Sequence, residues 1–304
     1  MSIITSLNLH YKNVLLFFYK HYRYTSFEDN PLQAEGRSRA TTLYLNDKTL
    51  AERCNSNLLN KRVYSQPLIM DMRFDSPRIN KVFDAASQIV QCHLINRQQP
   101  HPFRLVLANF KADGELGKCL SNSSSGLHRF DETQERTERS YLDLEPVVNP
   151  EHLVYLSPDA HTEMESFSMQ KVYIIGGLVD KKDTKNISRT IALNERIGSE
   201  SLPLKRYLKW KGTFGRKEMS LDVIMRILIT LRDTGSWINA LAHVPKRFHS
   251  GLTPEGEHLC GHRTDIIEYF SSGVRRERMF PGGLTSNNSK KAVPYKSAIH
   301  YLGR

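Results

Sequence analysis

The chain has 304 residues, 39% of them hydrophobic, enough to fill one α/β core of about 150 to 200 residues and to carry extensions. Its 43 Lys and Arg against 32 Asp and Glu leave a net charge of +11, a balance that favours a polyanionic partner such as nucleic acid. No apolar run reaches the ~18 residues of a membrane span, and Cys54, Cys92, Cys119 and Cys260 form no CxxC pair, so neither a zinc ribbon nor a secreted disulfide framework is indicated and a reducing compartment is the default.

Residues 1–27 contain no Asp or Glu, hold Lys12, Lys20 and Arg23 among Ser, Thr and Tyr, and include the apolar run Val14 to Phe18. That pattern is expected of a mitochondrial transit segment, although arginine is sparse; the alternative is an ordinary basic N-terminus. Residues 28–66 are polar and charged, with one helix expected over Lys48 to Asn60, where Leu50, Leu58 and Leu59 are too sparse for a core face. This stretch reads as an adaptor or RNA-contacting extension. The main domain, 67–250, begins with the strand in PLIMDMRFD (Pro67 to Asp75), after which Val82, Ala85, Ile89 and Val90 recur at helical spacing. A second strand, FRLVLANF (Phe103 to Phe110), ends in Asn109. The segment from Gly114 to Arg139, with SNSSSG and DETQERTER, reads as a loop or a solvated helix without chemistry.

Three runs then follow at short distances: LVYLSPDA, YIIGGLVD and LPLKRYL. Each reads as a short apolar strand ending in a turn, at Ser157 and Pro158, at Gly176 and Gly177, and at Pro203. Strand ends of this kind build ligand crevices in α/β domains. The two glycines permit positive φ and close approach of a ligand, and Asp180 sets a carboxylate in the same loop. Neither GxGxxG nor GxxxxGK[ST] occurs, so a dinucleotide fold and a P-loop are both unsupported. Asp159 is expected to cap a helix over His161 to Phe167. A core helix is expected from Leu221 to Leu231, with Leu221, Ile224, Met225, Leu228 and Leu231 inward, Ser220 as N-cap and Asp222 favouring the dipole.

Lys205, Arg206, Lys209, Lys211, Arg216 and Lys217 surround Tyr207 and Trp210, and Lys246 and Arg247 follow Trp237 to Leu241. Such clusters contact RNA phosphates; the alternative is a solvated basic face. His258, Cys260 and His262 lie too close together to complete a tetrahedral set and no fourth ligand is signalled, so no metal is assigned. Beyond Gly251 the pattern fades, and residues 251–304 read as a basic, flexible tail, with seven Lys or Arg against Glu277 alone from Ser271 to Arg304.

PLIMDMRFD, FRLVLANF, LVYLSPDA, YIIGGLVD, LPLKRYL and SLDVIMRILITL, in this order from about Pro67 to Gly251, resemble the tRNA purine-9 N1-methyltransferases of the SPOUT class. WINALAHVPKRFHSG is most similar to that family's mitochondrial branch, the methyltransferase subunit of protein-only mitochondrial RNase P. The resemblance implies an α/β SPOUT-type parallel sheet with a C-terminal trefoil knot, threaded by the helix from Leu221. It implies S-adenosylmethionine as cofactor, held at Leu156, Ser157, Gly176, Gly177, Leu202, Pro203 and Leu204 and closed over by Tyr207 and Leu221. It implies tRNA as substrate, and as partners a short-chain dehydrogenase subunit and a metal-dependent nuclease subunit, in the mitochondrial matrix.

On that resemblance Asp180 is the candidate base, because guanine N1 carries a proton that must leave when it is methylated; the alternative is a cap or a cofactor contact. Asn109 either hydrogen-bonds the target base or orders the cofactor loop; the alternative is a strand-end turn Asn. Two rival functions stay open: a non-catalytic tRNA-binding scaffold of RNase P, and a cytosolic or nuclear tRNA guanine-9 methyltransferase.

Overall fold

The computed structural model describes residues 47–74, 79–123, 133–144, 149–177, 186–211, 219–261, 266–267 and 270. The expected transit segment, the tail from Ser271 onward, and Asp180, Arg216, Lys217 and His262 lie outside the described residues. The helices are α1 Asp47–Lys61, α2 Ile79–Arg97, α3 Glu115–Ser123, α4 Ile187–Asn194, α5 Leu204–Tyr207, α6 Leu221–Thr234, α7 Trp237–Leu241 and α8 Pro254–Cys260. The strands are β1 Pro67–Asp71, β2 Arg104–Ala108, β3 Glu135–Arg136, β4 Leu153–Leu156, β5 Thr162–Glu163, β6 Val172–Gly176, β7 Gly198–Ser201, β8 Leu208–Trp210 and β9 His249–Leu252.

Strands β1 to β7 form one sheet in the order β3-β2-β1-β6-β4-β7-β5, and each of its pairings is parallel. The central strands are apolar apart from Asp71 at the end of β1, because both faces are covered. On one face Leu68, Met70, Leu105, Leu107, Val154 and Ile175 pack with Val82, Ala86 and Ile89 of α2 and with Met225 and Leu228 of α6. On the other, Ile69, Leu153, Tyr155, Val172 and Ile174 pack with Tyr141 and with Ala192 of α4. The alternation follows from the two-residue period of a strand.

This division locates the crevice. From β1 the chain passes through α2 to β2, whereas from β6 it passes through α4 over β4 to β7, in the opposite direction along the sheet. Right-handed crossovers in opposite directions put their helices on opposite faces. Strands β1 and β6 are neighbours, so the sheet reverses between them, and their carboxyl ends, at Asp71 and Gly176, mark the switch point where ligands bind in open α/β sheets.

Several expectations are corrected. The third strand of the series is the polar stretch Gly198–Ser201, while LPLKRYL supplies a loop, the single turn α5 and then β8. Strand β7 lies towards the sheet edge, its first three residues exposed or half-buried, so it carries no apolar signature. Helix α1 does have a buried face, made of Ala51, Asn55 and Leu58, with Leu59 exposed and Asn55 Oδ1 accepting from the buried Arg97 at 2.9 Å. Within Gly114 to Arg139 the structure has α3, with Cys119 and Leu120 buried, and β3. There Glu135 pairs with Arg104 at 2.7 Å and Arg62 at 2.9 Å.

No helix spans His161 to Phe167. Asp159 instead accepts from the N–H of Asn186, the residue that opens α4, at 2.9 Å. Ser220 stands at the N-cap of α6, yet its hydroxyl makes no capping bond; Gln88 Oε1 accepts from the Leu221 N–H at 2.9 Å and takes over that role. Past Gly251 the chain continues into Leu252 of β9 and then α8, capped by Thr253, whose hydroxyl accepts from Gly256 N–H at 3.2 Å.

Candidate active site at the carboxyl edge of the sheet

Neighbouring strand ends gather most of the candidate residues. Leu156 and Ser157 end β4, Gly176 and Gly177 end β6, and Leu202 to Leu204 follow β7, with β4 paired between the other two. Leu156, Leu202, Leu204, Tyr207 and Leu221 belong to one packed cluster with Ile175, so the rim has apolar walls. Several backbone groups there are already engaged. Ser157 N–H donates to Glu200 O at 2.9 Å, Leu204 N–H to Leu202 O at 2.7 Å, and Tyr207 O accepts from Thr253 N–H at 3.0 Å.

The glycines are required for space, not for a positive φ, which neither adopts. Gly177 N–H donates to Asp71 O at 2.8 Å, binding the end of β6 to the end of β1. A Cβ at Gly177 would lie 2.7 Å from Met72 Cε and 3.0 Å from Asp71 O, and one at Gly176 would lie 3.0 Å from the Tyr155 hydroxyl.

The polar heart of this edge is Asp71, which sequence reasoning left without a role. Its side chain is fully buried and paired to Arg73 Nε at 2.6 Å. It accepts from the Tyr155 hydroxyl at 3.1 Å, Asn109 Nδ2 at 2.8 Å and the Arg73 N–H at 3.3 Å. Arg73 reaches on to Glu195 at 2.7 Å, Glu195 accepts from the Tyr141 hydroxyl, and the guanidinium lies 5.2 Å from the Tyr141 ring centroid. Burial alone would lower the Arg73 pKa, but its hydrogen bonds to Asp71 and Glu195 raise it, so the cation is fixed. Burial, and next the charge of Asp71, push the Tyr155 phenol well up; burial and the bond to Glu195 do the same for Tyr141. Both phenols are therefore donors. The one available signal in sequence was an acid closing an otherwise apolar strand, PLIMD. Arg73, Tyr141, Tyr155 and Glu195 had none, being far apart in the chain.

Asn109 sits at the β2 end with φ 55°, a left-handed conformation that Asn tolerates better than most residues. Its backbone N–H donates to Arg139 O at 3.0 Å and its amide is aimed by Asp71. Asp180, three residues beyond Gly177, lies outside the described residues.

The basic candidates fall on the two-stranded sheet β8-β9 and its approaches. Lys205, Arg206, Lys209, Lys211 and Arg247 are exposed and Lys246 is half-buried. Arg206 pairs with Glu255 at 2.5 Å and Lys209 with Glu257 at 3.6 Å, both on α8. Among the described residues no cluster of three or more His, Cys, Asp or Glu is arranged to hold a metal, and no helix is long and apolar enough to cross a membrane.

A parallel α/β sheet with small and apolar residues gathered at its switch point, flanked by exposed cations, defines an α/β protein of the open-sheet class. The model of the family described as tRNA (guanine(9)-N(1))-methyltransferase TRM10/TRM10A matches residues 24–248, and the chain belongs to that family. It is 33% identical over 201 residues to human tRNA methyltransferase 10 homolog C, a match covering 64% of this chain and 47% of the relative. It is 28% identical over 210 residues to the Drosophila melanogaster mitochondrial ribonuclease P protein 1 homolog, covering 68% and 46%. The chain thus spans about half the length of the curated relatives it matches. Among solved structures it resembles the full-length spTrm10–SAH complex, with 25% identity, a TM-score of 0.50, and coverage of 60% of this chain and 96% of that one.

Proposed function

We propose that this protein transfers a methyl group from S-adenosylmethionine to N1 of the purine at position 9 of mitochondrial tRNA and serves as a subunit of mitochondrial RNase P in 5′ processing. The observation that carries the reading is the convergence of the β1, β2, β4, β6 and β7 ends on one crevice in a chain of the TRM10 family. The SAH held by spTrm10 supports the cofactor. The names of the human and Drosophila relatives support the tRNA substrate, the RNase P role and the mitochondrial setting.

The residues present fit the cofactor: Leu156, Leu202, Leu204 and Leu221 offer apolar walls, and Gly176 and Gly177 bring backbone close to the rim. Bound there, S-adenosylmethionine supplies an electrophilic methyl on a sulfonium with a neutral thioether leaving group. The protein's task is then to align donor and acceptor and exclude water. In this reading Ser157, Pro203 and Tyr207 complete the cofactor loops, Asn109 orients the purine, and Asp180 takes the N1 proton of guanine. The trefoil knot threaded by α6, and association with a short-chain dehydrogenase subunit and a metal-dependent nuclease subunit, belong to the same proposal.

The test is transfer of labelled methyl from S-adenosylmethionine to unmodified mitochondrial tRNA, with the modified position mapped, with and without the dehydrogenase subunit. Methylation at purine 9 is the expected result, and a rise on adding the dehydrogenase supports the mitochondrial branch. Binding of tRNA without transfer under either condition would replace this reading by a scaffold.

A further inference from the structure

Five of the described basic candidates fall into two sets with different surroundings, while Lys205, exposed on α5, belongs to neither. Arg206 and Lys209 face α8, where Glu255 and Glu257 pair with them; the Arg206 guanidinium also lies 5.4 Å from the Tyr207 ring centroid. These surface ion pairs link α8 to α5 and β8. The second set is Lys211, Lys246 and Arg247. Strand β8 pairs antiparallel with β9, Leu208 opposite Leu252 and Trp210 opposite His249, with an irregularity between. Lys211 N–H donates to Phe248 O at 2.7 Å, which carries the pairing one step further.

The residues Pro245 to Phe248 form a tight turn closed by Phe248 N–H donating to Pro245 O at 3.0 Å, with Lys246 and Arg247 at its two central positions, where side chains point outward. Lys211 Nζ reaches Lys246 O at 3.3 Å. Trp210 and Phe248 stack with centroids 5.5 Å apart and planes 8° from parallel. The Arg247 guanidinium is held 4.8 Å from the Phe248 centroid, a cation–π contact that limits its freedom. Among the described residues Lys211 and Arg247 are in no ion pair. Burial and then the charge of Lys211 lower the Lys246 pKa, so the cations are held close enough to repel. Concentrating like charge costs stability, a cost that an anion placed among the cations relieves.

We infer that Lys211, Lys246 and Arg247, mounted on the Trp210–Phe248 stack, form an RNA-phosphate contact of this protein, and that Arg206 and Lys209, paired with α8 at the surface, are not RNA contacts. This rests on the proposed tRNA methyltransferase reading and names the part of the basic flank that engages the substrate. The position suits it. Lys211 is four residues beyond Tyr207, at most ~13 Å of extended chain, so a phosphate bound here lies beside the crevice. Half-buried aromatic rings among the cations add a surface for an unstacked base.

The experiment is the salt dependence of tRNA binding by the full chain, comparing the unaltered protein with the triple variant K211Q/K246Q/R247Q and the double variant R206Q/K209Q. SAH binding by calorimetry serves as the check on folding. Each phosphate contact contributes about 0.7 to 0.9 to the slope of log affinity against log salt. The triple variant is therefore expected to flatten the slope by about 2 to 3, with SAH affinity retained, and the double variant to leave it unchanged. A slope unaltered in the triple variant, or lowered equally in the double, would overturn the assignment. Should the triple variant not bind SAH, the single variants K211Q, K246Q and R247Q, each expected to lower the slope by about 0.7 to 0.9, decide the matter on their own. If the unaltered chain shows no salt-dependent affinity for tRNA, the underlying reading falls together with this one.

Discussion

Asn109 donates its side-chain amide to Asp71 Oδ1 at 2.8 Å across the ends of the neighbouring strands β2 and β1. The bond orients an Asn that the backbone already holds in a left-handed conformation, and it joins Asn109 to a chain of partners running through Arg73 to Glu195 and Tyr141. A carboxylate with no exposure, fed by an amide, a phenol and a guanidinium, serves better as a fixed acceptor than as a proton acceptor in turnover.

Replacing Asp71 by Ala removes the acceptor and leaves Arg73 with Glu195 alone. Breaking a buried pair at one end costs about 3 to 5 kcal/mol. Because the Arg73 side chain retains 30% exposure, the lower end, about 3 kcal/mol, is expected in urea unfolding. Asp71→Asn keeps the shape and should cost less. A midpoint for Asp71→Ala within error of the unaltered protein would show that the network carries no stability.

Gly256 gives a second prediction, on the helix that follows β9. A Cβ there would lie 2.4 Å from Tyr207 O and 3.2 Å from Leu252 Cδ2. The first is backbone and cannot yield without moving α8 away from α5, so Gly256→Ala is expected to destabilise by about 1 to 3 kcal/mol. It should also weaken SAH binding, because Tyr207 closes the proposed cofactor loop. Thermal melts and SAH titrations check both, and unaltered values in each would mean that the contact relaxes freely.

The parts of this fold that were legible in the sequence are those where both faces of a strand or one stripe of a helix are buried: β1, β2, β4, β6 and α6. Strand β7 was not, because an outer strand with exposed and half-buried positions has no apolar run to betray it. Helix α1 was misjudged because its inward face includes Asn55, a polar residue whose burial is offset only by Arg97, 42 positions away. At the site, strand-end turns marked the carboxyl edge of the sheet, since small residues cluster there for steric reasons. The Asp71 network stayed hidden, because its members come from five separate segments brought together by sheet order alone.

His249 should make stability pH-dependent. It is buried, and its pKa is lowered, first by burial and then by the charges of Lys246 and Lys211, against backbone hydrogen bonds at Val244 and Gly251. A depressed folded-state pKa means that the unfolded chain takes up the proton first. The contribution is therefore complete above the unfolded value of about 6.5 and is lost as pH falls towards the folded value. Unfolding midpoints are expected to drop as pH falls below about 6.5, and His249→Phe, which cannot be protonated, to flatten that portion of the profile. An equal drop in both proteins would assign the dependence elsewhere.

The last prediction concerns Asp180, on the proposed reading that it accepts the N1 proton of guanine. An amide in its place keeps size and hydrogen bonding but cannot take a proton, so Asp180→Asn should lower guanine methylation by about 10² to 10⁴ in rate. Affinity for tRNA should be preserved, since binding rests on phosphate contacts elsewhere. Adenine N1 presents a lone pair and no proton, so a tRNA with adenine at position 9 should lose far less. Single-turnover rates on paired guanine-9 and adenine-9 substrates separate this from a structural role. A loss of equal size on both purines would mean that the carboxylate shapes the site without handling the proton, and a loss of SAH affinity would move it to the cofactor loop.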